Sequence, residues 1–170
     1  MAIHKIKVKP LTQENFAPYG TLLAMPLEPD EHTVFSENFT FYRNRCTFQC
    51  ADGKLGMGVS YILKRPYRAA ALERHFTTDE INAPLDGDMV ALFAKPVSND
   101  RDEKPDINQV EAFIFRQGQA MIIKKGVWHW CPMPIDHDTA MLCGLCHDLL
   151  KYDDLVIRDF ADGTIIEVEM

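Results

Sequence analysis

The chain has 170 residues, 46% of them hydrophobic and 25% charged, with a formal net charge of -7. That size and balance are enough for one globular core without disulfide staples, so a single domain over residues 1–170 is expected. The acidic excess excludes the basic footprint that nucleic acid or an anionic membrane surface requires.

The opening MAIHKIKVKP has no apolar h-region and reads as neither signal nor anchor, and the longest apolar run, Met89 to Ala94, is too short to span a bilayer. A cytosolic location follows as the expectation. Five cysteines, an odd number without an export signal, point to reduced thiols.

Taken in order, Ile3 to Val8 alternates at period two and predicts a strand, read as an edge with Lys5, Lys7 and Lys9 on its wet side. Thr12 is placed to cap a short helix that Pro18 disrupts and Gly20 ends. Phe39 to Cys50 has strand composition, and Ala51-Asp52-Gly53-Lys54 predicts a hairpin turn into Leu55 to Leu63 beside it. A strand over Ala69 to His75, a loop to Asp86-Gly87 and an apolar strand over Met89 to Ala94 come next.

Lys95 to Asn108 reads as a long surface loop. Strands are then predicted at Val110 to Phe115, Gln119 to Ile123 and Thr139 to Cys146, with glycine turns at Gly118 and Gly126 leading to Val127-Trp128-His129. Ala161-Asp162-Gly163 predicts a hairpin between Leu155 to Phe160 and Thr164 to Val168. About eight to eleven short strands with almost no helix define an antiparallel barrel or double-sheet jelly roll.

Two patterns carry chemistry. Cys143-Gly144-Leu145-Cys146-His147 spells the haem-attachment pattern, but residues three apart on a strand point to opposite faces, which also weakens a zinc site joining Cys143 and Cys146 to Cys46 and Cys50. These cysteines are read as small core hydrophobes. Glu73, His75 and Glu80 fall in one short segment, with Glu73 and His75 on one strand face, and His129 follows a glycine turn far downstream. Imidazole and carboxylate together suit a divalent ion such as Zn, Ni, Mn or Fe(II), although a solvated strand face produces the same spacing.

Glu73-x-His75-x4-Glu80-x6-Gly87 and Gly118-x5-Lys124-x-Gly126-x2-His129-x3-Met133 resemble the paired motifs of the cupin superfamily, with Glu73 in place of the first histidine. The resemblance is closest to the ureidoglycolate lyase family. It runs through KVKPLTQENFAPYG, ALERHFTTDEINAPLDGDMVALFAKP and EAFIFRQGQAMIIKKGVWHW. It implies an all-β, cupin-type double-stranded β-helix (jelly-roll barrel) with one short N-terminal helix. It also implies a homodimer, and cleavage of ureidoglycolate to glyoxylate and urea with a divalent metal ion.

On that reading Glu73, His75 and His129 hold the ion, and Glu80 is a fourth ligand or the base. Lys124 clamps the substrate carboxylate or donates a proton, and Gln119 holds the ureido group. The family usually has Asn and His where Ile122 and Lys124 stand, His at Trp130, Gln at Glu80 and Pro at Phe76. Positions 122 and 124 share a strand face, so Ile122 and Lys124 are expected to face the pocket together.

Those departures leave room for a lyase, isomerase or hydrolase acting on another small hydroxy or keto acid, or for a non-catalytic small-ligand binder. A dimer formed through an exposed N-terminal strand is compatible with each.

Overall fold

The computed structural model describes residues 2–148 and 153–170. Alternation in Ile3–Pro10 produces the first strand, β1. Thr12 then caps the helix α1, Gln13–Phe16: its hydroxyl accepts the Asn15 N–H at 3.2 Å while the Asn15 side chain accepts the Thr12 N–H at 2.8 Å. The helix stops at Phe16, which it buries completely, and Gly20 opens β2 (Gly20–Leu23).

There follow β3 (Thr33–Phe35), β4 (Thr40–Tyr42), β5 (Leu55–Ile62), β6 (Arg68–Ala69), β7 (Ala71–His75), β8 (Glu80–Pro84), β9 (Met89–Ala94) and β10 (Glu111–Phe115). The chain closes with β11 (Ala120–Ile123), β12 (Trp128–Pro134), β13 (Thr139–Cys146), β14 (Leu155–Asp159) and β15 (Ile165–Glu169).

Two sheets carry the architecture. The larger runs β14-β7-β12-β9-β10-β1-β15-β6, and the smaller runs β2-β11-β8-β13-β5; β3 and β4 form a separate hairpin. Side chains from both sheets interdigitate in one core, with Met89, Ala91, Phe93 and Phe113 meeting Met121, Ile123 and Met141. Val90, Leu92 and Ala94 of β9 point the other way, into a second core with Trp128, Val156, Ile166 and Val168. A strand buried on both faces has no polar side to show, which is why Met89–Ala94 reads as one continuous apolar run. The result is an all-β, cupin-like jelly roll with one short N-terminal helix, as the sequence predicts.

Several expectations are corrected. β1 is not a simple edge strand: Ile3 to Lys7 pairs in parallel with β15 and Val8 to Pro10 pairs in parallel with β10, so the strand links two neighbours within the larger sheet. Lys5, Lys7 and Lys9 do lie on the exposed side as expected, where Lys5 meets Glu169 at 3.0 Å and Lys9 meets Glu111 at 2.6 Å.

In the stretch from Phe39 to Cys50 only Thr40–Tyr42 is a strand, and β5 lies beside β13, not beside its predecessor. The segment before Asp86-Gly87 contains β8 and is not all loop. Ala161–Gly163 forms a 3-10 turn that separates β14, which pairs with β7, from β15, which pairs with β1 and β6. The described residues hold fifteen strands because five of them, β2, β3, β4, β6 and β11, are only two to four residues long, and such short runs have no period to detect. Among the described residues no helix is long and apolar enough to cross a membrane.

Candidate active site

β7 and β12 lie antiparallel in the larger sheet with His129 opposite Glu73. The period of two turns Glu73 and His75 to the inner face and Arg74 to the outer core. β12 reaches this register through the turn at Gly126, whose φ of 84° is one that side chains with a Cβ rarely adopt and whose N–H donates to the His75 carbonyl at 2.6 Å. From the facing sheet, β8 sends Glu80 across. One end of the barrel thus gathers groups from three strands.

His75, Glu80 and His129 form a tight set in which one ligand atom from each lies within 4.8 Å of the others. Glu80 Oε2 stands 2.8 Å from His129 Nε2 and 3.4 Å from His75 Nε2. The far nitrogen of each ring is fixed: His129 Nδ1 donates to the Val127 carbonyl at 3.0 Å, and His75 Nδ1 donates to Asp154 Oδ2 at 2.8 Å. Asp154 is itself held by the Phe76 and Thr77 N–H groups and the Thr77 hydroxyl.

A carbonyl can only accept, so Nδ1 of His129 carries a proton and a neutral ring would turn the Nε2 lone pair toward a carboxylate oxygen. A proton or a cation must therefore sit between them, and burial beside two imidazoles that hold the Glu80 pKa low places that proton on the rings when no cation is bound. Histidines whose outer nitrogen is anchored to a carboxylate or carbonyl while the inner one faces a shared point are built as metal ligands are built. The donor set of two imidazoles and a carboxylate fits a divalent ion.

Without a cation the electrostatics follow the same geometry. Burial opposes charge on Glu80, but His129 and His75 outweigh it and hold its pKa far below the ordinary carboxylate value. Burial likewise opposes charge on His75, and the Asp154 and Glu80 carboxylates overcome it, raising its pKa to about 9. Burial opposes charge on His129 too, and Glu80 raises its pKa in net.

The folded pKa of His75 lies above its ordinary 6.5, so this part of the stability is complete below about pH 6.5 and is lost as pH rises through about 9. Metal-stripped protein is therefore expected to melt at a lower temperature at pH 9 than at pH 6, and metal, which replaces the protons, is expected to remove much of that difference. A melting temperature that rises over this range would contradict the assignment.

Glu73 stands apart. It is not one of the tight set, yet it lines the same cavity of about 170 Å³ with Ser60, Glu80, Asn82, His129 and Cys143. Burial raises its pKa and the nearby Glu80 charge adds to the rise, against the two histidines. It is the carboxyl group here best placed to gain and lose a proton.

Other predicted residues lie elsewhere. Lys124 is exposed and its Nζ donates to the Ala17 carbonyl at 3.3 Å. Just beyond β11, it does lie on the same side as Ile122, but that side lines a separate groove with Thr21, Thr47 and Asp79, while Met121 and Ile123 take the inner face. Gln119 is a turn residue whose side chain accepts the Arg116 N–H at 2.8 Å, and it lies beside Leu11 and Thr12, away from the cavity. Trp130 lines the cavity, whereas Trp128 is fully buried in the outer core.

All five cysteines are free. Cys143 and Cys146 diverge as strand alternation requires: Cys143 faces the cavity, and Cys146 sits beside Cys50 and Asp52. The sequence reading missed Asp154, which has no spacing signal, and Asn82, which the period of two places beside Glu80 once β8 is known to be a strand.

A double-sheet barrel that gathers two anchored histidines and a carboxylate at the end of a small cavity, which His129 and Glu80 line, is a cupin-type protein with a site able to hold a metal. The comparison with known proteins is more specific. The chain belongs to the ureidoglycolate lyase family, whose profile matches residues 3–148.

It is 24% identical to the ureidoglycolate lyase of Schizosaccharomyces pombe over 93% of both chains. It is 28% identical to that of Rhodobacter capsulatus over 78% of this chain and 81% of the relative, and 27% identical to that of Pseudomonas paraeruginosa over 73% of each. A dTDP-4-dehydrorhamnose 3,5-epimerase from Bacillus anthracis str. Ames is similar in structure with a TM-score of 0.42 and 12% identity, over 85% of this chain and 75% of that one.

Proposed function

We propose that this chain is a lyase that cleaves ureidoglycolate to glyoxylate and urea, with His75, Glu80 and His129 holding a divalent metal ion of the Ni, Mn, Zn or Fe(II) type. The observation that carries the reading is the tight His-Glu-His set opening on a cavity of about 170 Å³, a size suited to a small acid, in a chain of this family. A bound ion supplies Lewis-acid stabilisation of the substrate's carboxylate and hydroxyl oxygens.

The remaining work falls to the protein. Glu80, pinned between two imidazoles and strongly acidic, serves as a ligand and is a poor base. Glu73 takes that part. Its carboxylate accepts the hydroxyl proton as the carbonyl forms and the C–N bond breaks, then returns the proton to the departing urea nitrogen. One group moves one proton, and the enzyme ends as it began. Trp130 and Cys143 wall the cavity against water. The homodimer implied by resemblance is an assembly that this scheme does not call on.

Glu73→Gln is the direct test of this division of labour. It is expected to lower kcat by about a hundred- to ten-thousand-fold while metal content stays at the wild-type level. A parallel loss of metal would make Glu73 a ligand and return the proton step to another group.

A further inference from the structure

Asn82 is 1% exposed and lines the cavity beside Glu80. Its orientation is set by chemistry. The Glu80 Oε1 that it meets at 2.8 Å only accepts, so the NH2 end must face Glu80 and the carbonyl end must point away. That leaves Asn82 Oδ1 buried with no hydrogen-bond partner among the described residues. Its cross-strand neighbours are Met121, which has nothing to donate, and Cys143, whose sulfur is engaged with the Ser60 hydroxyl at 3.3 Å and the Met141 carbonyl at 3.6 Å. An orphaned acceptor on the wall of a cavity marks a place where a ligand brings the donor.

We propose that Asn82 Oδ1 accepts an N–H of the bound substrate, making Asn82 the residue that selects a ureido group over an all-carbon chain of the same shape. The inference rests on the cavity being the substrate site, as proposed above. The substrate's carboxylate and carbonyl oxygens can only accept, and its hydroxyl proton is consumed in the reaction, so the ureido nitrogens are its remaining donors. A site built to bond an N–H discriminates sharply against an isostere without one, because the buried acceptor then stays unpaired.

The test compares two stable acids of matched shape, N-carbamoylglycine and 4-oxopentanoate, in which carbon replaces both nitrogens. Affinities are measured by calorimetry on metal-loaded wild type, Asn82→Leu and Asn82→Ala. Wild type is expected to prefer the carbamoyl compound by about tenfold or more, and the preference is expected to collapse toward one in both variants. A purely structural role through Glu80 would weaken both ligands alike and leave the ratio standing, which overturns the proposal, as would no wild-type preference or no binding of either acid. Glyoxylate release by the same wild-type preparation separates the two readings. Activity with an unchanged ratio removes only the Asn82 assignment, and a collapsing ratio without activity keeps Asn82 as a ureido reader and removes the lyase chemistry.

Discussion

His129→Ala is expected to strip the protein of metal and to lower glyoxylate release to near background. His129 Nε2 is 2.8 Å from Glu80, and the ring is 3% exposed with its other nitrogen anchored on Val127, so the substitution removes a donor that is already oriented toward the shared point. Loss of an outer partner of a metal-bound histidine alone costs roughly 10- to 100-fold in metal affinity, so loss of the imidazole should exceed about a hundredfold.

His75→Ala should behave alike. Asp154→Asn, which touches the site only through His75, should fall within the smaller range. Metal content per chain and initial rate, measured on the same preparations, check the series. Full activity in both histidine variants would remove the metal-assisted scheme.

Arg74→Ala is expected to be the most destabilising substitution on the outer face of the larger sheet. The side chain is fully buried, with its guanidinium 4.2 Å from the Trp128 ring centroid and 4.5 Å from that of Phe76. It donates to the carbonyls of Ser98 and Asp100 and lies 3.4 Å from Glu103.

Glu103 is in turn held by the Ser98 hydroxyl, the Val97 and Ser98 N–H groups and the Trp128 indole, which outweigh its burial and lower its pKa to about 2. Removing the cation leaves that carboxylate charged and short of its partner, and opens a cavity beneath two aromatic rings. The expected cost is about 3–5 kcal/mol, or a fall in Tm of roughly 10 °C for a chain of this size. Thermal unfolding checks it, and an unchanged Tm would mean that the Lys95 to Asn108 segment is dispensable for stability.

Arg74 also shows where sequence reading stops. That segment is rich in charge and proline and reads as a surface connection, and only the fold shows that Glu103 is used inward, against an arginine 29 residues away. By contrast, Met89–Ala94 and Thr139–Cys146 are found with the predicted ends, because a sustained apolar run bounded by turn residues has few other uses. β8 does alternate, Glu80-Ile81-Asn82-Ala83, but its polar residues face the cavity and the run is only five residues long, so its pattern points the wrong way for a core strand and is too short to stand out.

The site was partly legible for the same reasons. His75, Glu80 and His129 were among the candidate ligands, and the structure brings them together. Strand alternation assigns which residues share a face but not which face is inside, and that is how Lys124 and Ile122 came to be expected in the pocket. The partition between Glu73 and Glu80 depends on which sheet each strand joins, and Asp154 reaches His75 across 79 residues.

The measurement that decides the account is glyoxylate and urea release from ureidoglycolate by folded protein, before chelation, after chelation, and after adding back Ni, Mn, Zn or Fe(II) singly. Equal amounts of both products are expected, with loss on chelation and recovery with at least one ion. Absence of release with every ion, or release untouched by chelation that leaves the protein metal-free, would contradict it.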